Sequence, residues 1–202
     1  MFQFHSAKSF FTGSGTAGSI NVVGTKLIAL VACQTPVNVT ALSVGGESAS
    51  LDYSATPSSW SGKVYAWRID NPTTGSSKSI SITHDGFNVA LTVFDVSGIA
   101  LGSGALLNTS DNYLASTTYL PISVTTPSNG TSFSIENNSA YQIPTISGSQ
   151  SEGERVYQAG SGYYDQNGSH AWSVASTQTM WLFAASYKYA SSIVNGMMMI
   201  GF

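Results

Sequence analysis

The sequence predicts an all-β fold, a two-sheet antiparallel sandwich of about ten strands. Three observations lead there. Apolar and polar residues alternate with a period of two along most of the chain, pairs of turn-forming residues punctuate the alternation, and no window shows the 3.6-residue period of an amphipathic helix. A length of 202 residues suits a single sandwich domain over residues 1–202, and no stretch resembles a linker.

The elements follow in order. Lys26–Cys33 is apolar on both faces, as in a central strand covered from two sides. Val37–Val44 and Ser48–Tyr53 flank Gly45-Gly46, which reads as a tight hairpin because such turns need positive φ. In Gly62–Asp70, Tyr65, Trp67 and Ile69 share one face while Ala66, Arg68 and Asp70 share the other. Asn71-Pro72 turns the chain into Lys78–His84, where Ile80 and Ile82 point inward. Asp85-Gly86 predicts a second hairpin before Phe87–Val96, with Val89, Leu91 and Val93 opposite Ala90, Phe94 and Val96. Thr118–Thr125 and Thr131–Ile135 flank Asn129-Gly130, a third hairpin signal. Glu154–Ala159, Ala171–Ala175 and Thr179–Tyr189 complete the strands, and Leu101–Ser116 and Ile143–Gly153 read as extended loops. Residues 1–12 and 191–202 are expected to be ordered arms docked on the core or on a neighbouring subunit, because free ends otherwise fray. The last of these carries Met197, Met198, Met199, Ile200 and Phe202, and the first carries Phe2 and Phe4. These seven apolar side chains are the expected subunit contacts, with methionine suited to irregular partner surfaces.

Composition narrows the function. Charged residues make up 8% of the chain, against about 25% in an average globular domain. The net charge is −3, and the seven basic residues are scattered rather than gathered in a patch, which argues against nucleic-acid binding. Cys33 stands alone in an apolar run and reads as a small buried hydrophobe. Neither a leader-like start nor an 18-residue apolar run occurs, so folding in a cytoplasm and no membrane span are expected. For the same reason the Asn-x-Ser/Thr triplets at Asn38, Asn108, Asn129, Asn137 and Asn167 read as chance.

Candidate chemistry is sparse. His5, His84 and His170 lack metal-ligand spacing. Glycoside hydrolysis needs two carboxylates roughly 5 to 10 Å apart. Glu152-Gly153-Glu154 offers the single same-face pair and reads as an exposed loop. Asp85, Asp111 and Asp165 sit in turn-like contexts. No catalytic residue, metal or cofactor site is therefore predicted. The candidate contacts for a glycan or a protein partner are the loop aromatics Trp60, Tyr163 and Tyr164, each of which could instead plug an end of the sandwich.

The order of pieces resembles a known domain. Lys26–Cys33, then Val39-Thr40-Ala41-Leu42-Ser43-Val44-Gly45-Gly46, then Val64–Asp70 with the run Trp67-Arg68-Ile69-Asp70-Asn71-Pro72, then Ser79–Thr83 and Val89–Gly98, are similar to a concanavalin-like jelly-roll domain of tailed-phage virion proteins and bacterial surface proteins. The similarity runs from Lys26 to Tyr189, and Thr179–Tyr189 resembles the family's closing strand. The resemblance implies a jelly-roll sandwich and a non-enzymatic structural role in a virion assembled in the host cytoplasm, as a capsid decoration, head fibre or tail-attachment component. The implied partners are other virion proteins or identical subunits in a homo-oligomer. The alternative is a carbohydrate-binding or host-adhesion module contacting a cell-surface glycan.

Overall fold

Fifteen strands in three antiparallel sheets build the protein, in a computed structural model that describes residues 1–191 except 59, 127, 140, 141, 147–150, 157, 158 and 166–168. The first nine strands are β1 (Gln3–Thr12), β2 (Gly15–Val22), β3 (Lys26–Ala32), β4 (Val39–Val44), β5 (Glu47–Ser48), β6 (Ser50–Ala55), β7 (Val64–Asp70), β8 (Gly75–His84) and β9 (Val89–Ser97). They pair as one long hairpin whose tip is Gly45-Gly46. Val44 opposes Glu47, Lys26 opposes Asp70, Ile20 opposes Lys78 and Gln3 opposes Ser97. Both tip glycines have positive φ, 60° and 85°, the backbone that a two-residue hairpin loop requires. The hairpin is then rolled up, so that β3 also pairs with β9 and β4 with β8. The result is two facing sheets, β1-β9-β3-β7-β6 and β2-β8-β4-β5, the strand order of a jelly roll.

The alternation in sequence becomes two cores. Leu27, Ala29, Val31, Tyr65, Trp67, Ile69, Val89, Leu91 and Val93 face the β2-β8-β4-β5 sheet and meet Ile20, Leu42, Ile80 and Ile82. The other face of the same strands carries Ile28, Leu30, Val64, Ala66, Ala90, Phe94 and Val96, and it is covered as well. Its cover is a third sheet, ordered β10-β15-β11-β14-β13, built from β10 (Leu106–Ser123), β11 (Gly130–Asn138), β13 (Ser151–Val156), β14 (Ala159–Asp165) and β15 (Ser169–Lys188). Phe133, Ile135, Trp181, Phe183 and Tyr187 fill this second interface. The short β12 (Thr145–Ile146) pairs with β15.

The paired strands β10 and β15 are too long for the sheet and fold back over its outer face. Their register slips between Leu114 and Tyr119, where Ser116 takes a φ of 71°. Beyond the bend, Asn112 Nδ2 donates to the Pro121 carbonyl (2.6 Å), and both Asn108 Nδ2 and the Ser186 hydroxyl donate to that of Thr125 (2.9 Å each). Leu120, Ile122, Val124, Trp172 and Val174 on the ribbon then pack on Met180, Leu182 and Ala184. A Cβ at Gly160 would meet the Trp172 ring at 2.9 Å, so a residue without a side chain lets the indole lie directly on β14.

Several sequence expectations are corrected. The expected all-β antiparallel sandwich of jelly-roll type forms, but among the described residues it has three sheets rather than two and fifteen strands rather than about ten. The jelly roll closes at Ser97 with β9, so Thr179–Tyr189 belongs to the third sheet and is not its closing strand. Asp85-Gly86 carries the chain from one sheet to the other, and Asn129-Gly130 joins strands separated by β15; neither is a hairpin. Most of Leu101–Ser116 and the stretch from Ser151 are strand rather than loop. Residues 3–12 are an integral edge strand. The expected contacts Met197, Met198, Met199, Ile200 and Phe202 lie outside the described residues.

Candidate functional site

The two ends of the central sheet differ in chemistry. At the end holding the first residue of β3, the ionisable side chains close on one another. Lys26, fully buried, donates to the Ala100 carbonyl at 2.7 Å and lies 3.2 Å from the Asp70 carboxylate. Arg68 donates to Asp70 at 2.9 Å and pairs with Asp52, whose other oxygen accepts from the Tyr187 hydroxyl at 3.4 Å. Burial pulls the Lys26 ammonium below its ordinary range against the opposing pull of Asp70. At Asp70 burial is outweighed by the Gly102 N–H, Arg68 and Lys26, which together hold the carboxyl below its usual value. Buried charges persist where they are paired and hydrogen-bonded, and removing one partner costs about 3–5 kcal/mol. At Asp52 burial outweighs Arg68 and Lys26 and raises the carboxyl, and through the Tyr187 hydroxyl the cluster clamps the jelly roll to β15.

The opposite end, where β1 and β3 stop and β9 begins, is open. A cleft of about 320 Å³ lies there, lined by Phe11, Gln34, Thr35, Phe87 and Asn88. Phe87 is 83% exposed, whereas burying a phenylalanine side chain gains about 1.5–3 kcal/mol. Gln34 is anchored through both hydrogens of Nε2, to Asn137 Oδ1 (3.0 Å) and the Asn138 carbonyl (2.9 Å) of the third sheet. A second cleft of about 240 Å³, lined by Ser54, Ala55, Thr56, Lys63 and Tyr65, occupies the same end over β6 and β7.

The aromatics singled out in the sequence have other duties. Trp60 is buried, its Nε1 donating to the Cys33 carbonyl at 3.2 Å and its ring 6.2 Å from that of Tyr113. It fills the end of the sandwich, the plug that the sequence offered as the alternative to a glycan or partner contact. Tyr163 stacks on Phe4 at 4.1 Å, and Phe2 lies about 6 Å from Phe133, Tyr163 and Tyr189. Phe2 and Phe4 thus make aromatic contacts within their own chain. The backbone of Tyr164 in β14 pairs with Ser132 in β11, and its side chain lies outside the described residues.

The remaining polar candidates are buried, paired or built into strands. Ser132 and His170 share a hydrogen bond of 2.9 Å, and burial pushes His170 down to about 3, so the imidazole is neutral. Both are buried, Ser132 in the third sheet and His170 in the ribbon that covers it, and a serine–histidine pair without substrate access does not act as a nucleophile. Glu154 lies in β13, not in a loop, and pairs with Lys8 and the backbone N–H of Ser9. Asp111 lies in β10 and not in the turn expected, while Asp165 is the last residue of β14 and residues 166–168 that follow lie outside the described residues. Burial pushes the Cys33 thiol up to about 12, which leaves it unreactive. Among the described residues no three His, Cys, Asp or Glu side chains gather to hold a metal, and no helix is long and apolar enough to cross a membrane. Phe87 and Asn88 were absent from the sequence-based candidates because Phe87 reads as the first inward residue of the strand that actually begins at Val89.

No family model matches the chain, and comparison with the curated proteins finds no match. Among solved structures, a conserved protein of unknown function from Pseudomonas aeruginosa PAO1 is similar at 10% identity with a TM-score of 0.30, covering 91% of this chain and 80% of the other.

Proposed function

We propose that this protein is a non-enzymatic structural component of a tailed-phage virion, a capsid decoration, head fibre or tail attachment that acts through contacts with other subunits. The observation that carries the reading is how little charge remains on the outside. Of seven basic and ten acidic residues, Lys26, Asp95 and Glu136 are buried, and so is the Asp52 carboxylate. Isolated soluble domains generally carry a mixed, charge-rich surface. A neutral exterior of Ser, Thr and Asn instead suits extended contact with neighbours. Mass spectrometry of purified virions is the test: the protein is expected at a fixed copy number per particle, and its absence from every particle fraction would end the proposal.

A second reading, a carbohydrate-binding or host-adhesion module, has its own support in the open cleft beside Phe87. A virion decoration can carry such a module, so the two readings are compatible.

A further inference from the structure

We propose that the open end of the jelly roll is a binding site for a neutral glycan, with Phe87 as its stacking platform and the amides of Gln34 and Asn88 as its polar contacts. The inference rests on the adhesion reading and gives it a place and a ligand class.

The lining carries the argument. Two phenyl rings, two primary amides and one hydroxyl surround the cleft, and no ionisable side chain is among them. A phenyl face accommodates the C–H face of a pyranose ring, and an amide supplies a donor and an acceptor side by side for neighbouring hydroxyls. A volume of about 320 Å³ falls at the lower end of the range of small-ligand pockets, about 300–1,000 Å³. Gln34 is prepared for the task. Its Nε2 hydrogens are both committed to the third sheet, so the carboxamide is fixed and Oε1 remains as an acceptor of known orientation. Pre-ordering a side chain in this way lowers the entropy lost on binding.

Charge selects the ligand class. Asp85 lies two residues before Phe87, where Asn38 donates to it from both its backbone N–H (2.7 Å) and its amide (2.6 Å). Those bonds hold the Asp85 carboxyl below its usual range and hence ionised. Lys63, which lines the neighbouring cleft, donates to Asn38 Oδ1. No cation lines the Phe87 cleft to attract an acidic sugar, and its uncharged amides, hydroxyl and phenyl rings fit a neutral one. The second cleft lies at the same end of the same sheet, over β6 and β7, and gives a longer oligosaccharide room to continue.

The test uses the full-length chain on an array of neutral oligosaccharides built from hexoses and N-acetylhexosamines, with sialylated and uronic-acid-containing oligosaccharides beside them. Titration calorimetry follows with the best ligand. Neutral oligosaccharides are expected to bind, Phe87→Ala to weaken them at least tenfold, and Phe87→Trp to preserve them. Phe87 is solvent-facing, so its variants fold. Tyr119→Ala, at an exposed aromatic on the far ribbon, is expected to change nothing. Neutral-glycan binding that Phe87→Ala leaves within twofold overturns the site and leaves the adhesion reading standing. Preferential binding of acidic oligosaccharides overturns the ligand class. No binding to either class overturns both the site and the adhesion reading.

Discussion

Glu136 of the third sheet and His170 of the folded-back ribbon are enclosed between the two layers, and burial moves both toward their neutral forms. Burial pushes Glu136 well above the ordinary value of 4.5, with an Asn138 hydrogen bond too weak to reverse it. Its Oε1 has no hydrogen-bond partner. The folded state therefore holds the Glu136 proton after the unfolded state has released it. The stability this contributes is complete below pH 4.5 and is lost as pH rises through the raised value. His170 runs the other way. The unfolded imidazole takes a proton below 6.5 and the folded one waits until about 3, so its stability contribution is complete above 6.5 and drains away as pH falls toward 3. Each slope is about 1.4 kcal/mol per pH unit where it acts alone. Above pH 4.5, as far as the raised Glu136 value, the two oppose each other, and the wild-type melting temperature is expected to vary less with pH there than that of either single variant. Glu136→Gln should expose a fall in melting temperature toward acid, and His170→Gln a fall toward neutral pH. Three parallel melting-temperature profiles would show that neither group stays uncharged in the folded protein.

At the scale of elements, the ribbon formed by the distal parts of β10 and β15 is the piece most easily separated. It bends at Ser116, and its docking relies on Trp172 lying over Gly160 and on Leu120, Ile122 and Val124. Between it and the sheet, Glu136 Oε1, Trp172 Nε1 and the Gln178 amide are buried without hydrogen-bond partners, which weakens the docking. Truncating a buried tryptophan costs about 3–5 kcal/mol. In Trp172→Ala, hydrogen exchange is expected to quicken in residues 119–123 and 169–173 while β11 and residues 180–188 of β15 stay protected. Uniform acceleration across all three sheets would instead make the ribbon part of one cooperative unit.

At the scale of the molecule, the β1-β9-β3-β7-β6 sheet is covered on both faces, so the jelly roll is topologically complete at Ser97 yet incomplete in burial. Ending the chain at residue 105 would uncover Ile28, Leu30, Val64, Phe94 and Val96, together with Lys26 and Arg68, which would lose the Tyr187 side of their clamp. A contiguous apolar face of that kind drives association. The fragment is expected to aggregate in size-exclusion chromatography and to bind a hydrophobic dye, whereas a monomeric, dye-silent fragment would mean that the third sheet is dispensable to the jelly roll.

The sequence by itself determined the period, and with it most of the core. Lys26–Cys33 reads as covered on both faces, and its alternate residues do enter two different cores. Gly45-Gly46 reads as a hairpin because positive φ at two successive positions is a local requirement, and local requirements are written locally. Asp85-Gly86 and Asn129-Gly130 carry the same signal and mean something else, since a turn motif reverses the chain without saying which sheet the next strand joins. That choice, the number of layers and the fold-back of β10 and β15 are settled by pairings between distant residues, Gln3 with Ser97 and Leu106 with Tyr187, which no window of sequence contains. The candidate site divides the same way. Trp60 and Phe87 are both aromatics near strand ends, and tertiary packing alone buries the first against Cys33 and Tyr113 and leaves the second in solvent beside two amides. Hydrophobicity is a property of the residue, but exposure is a property of what the rest of the chain brings alongside it.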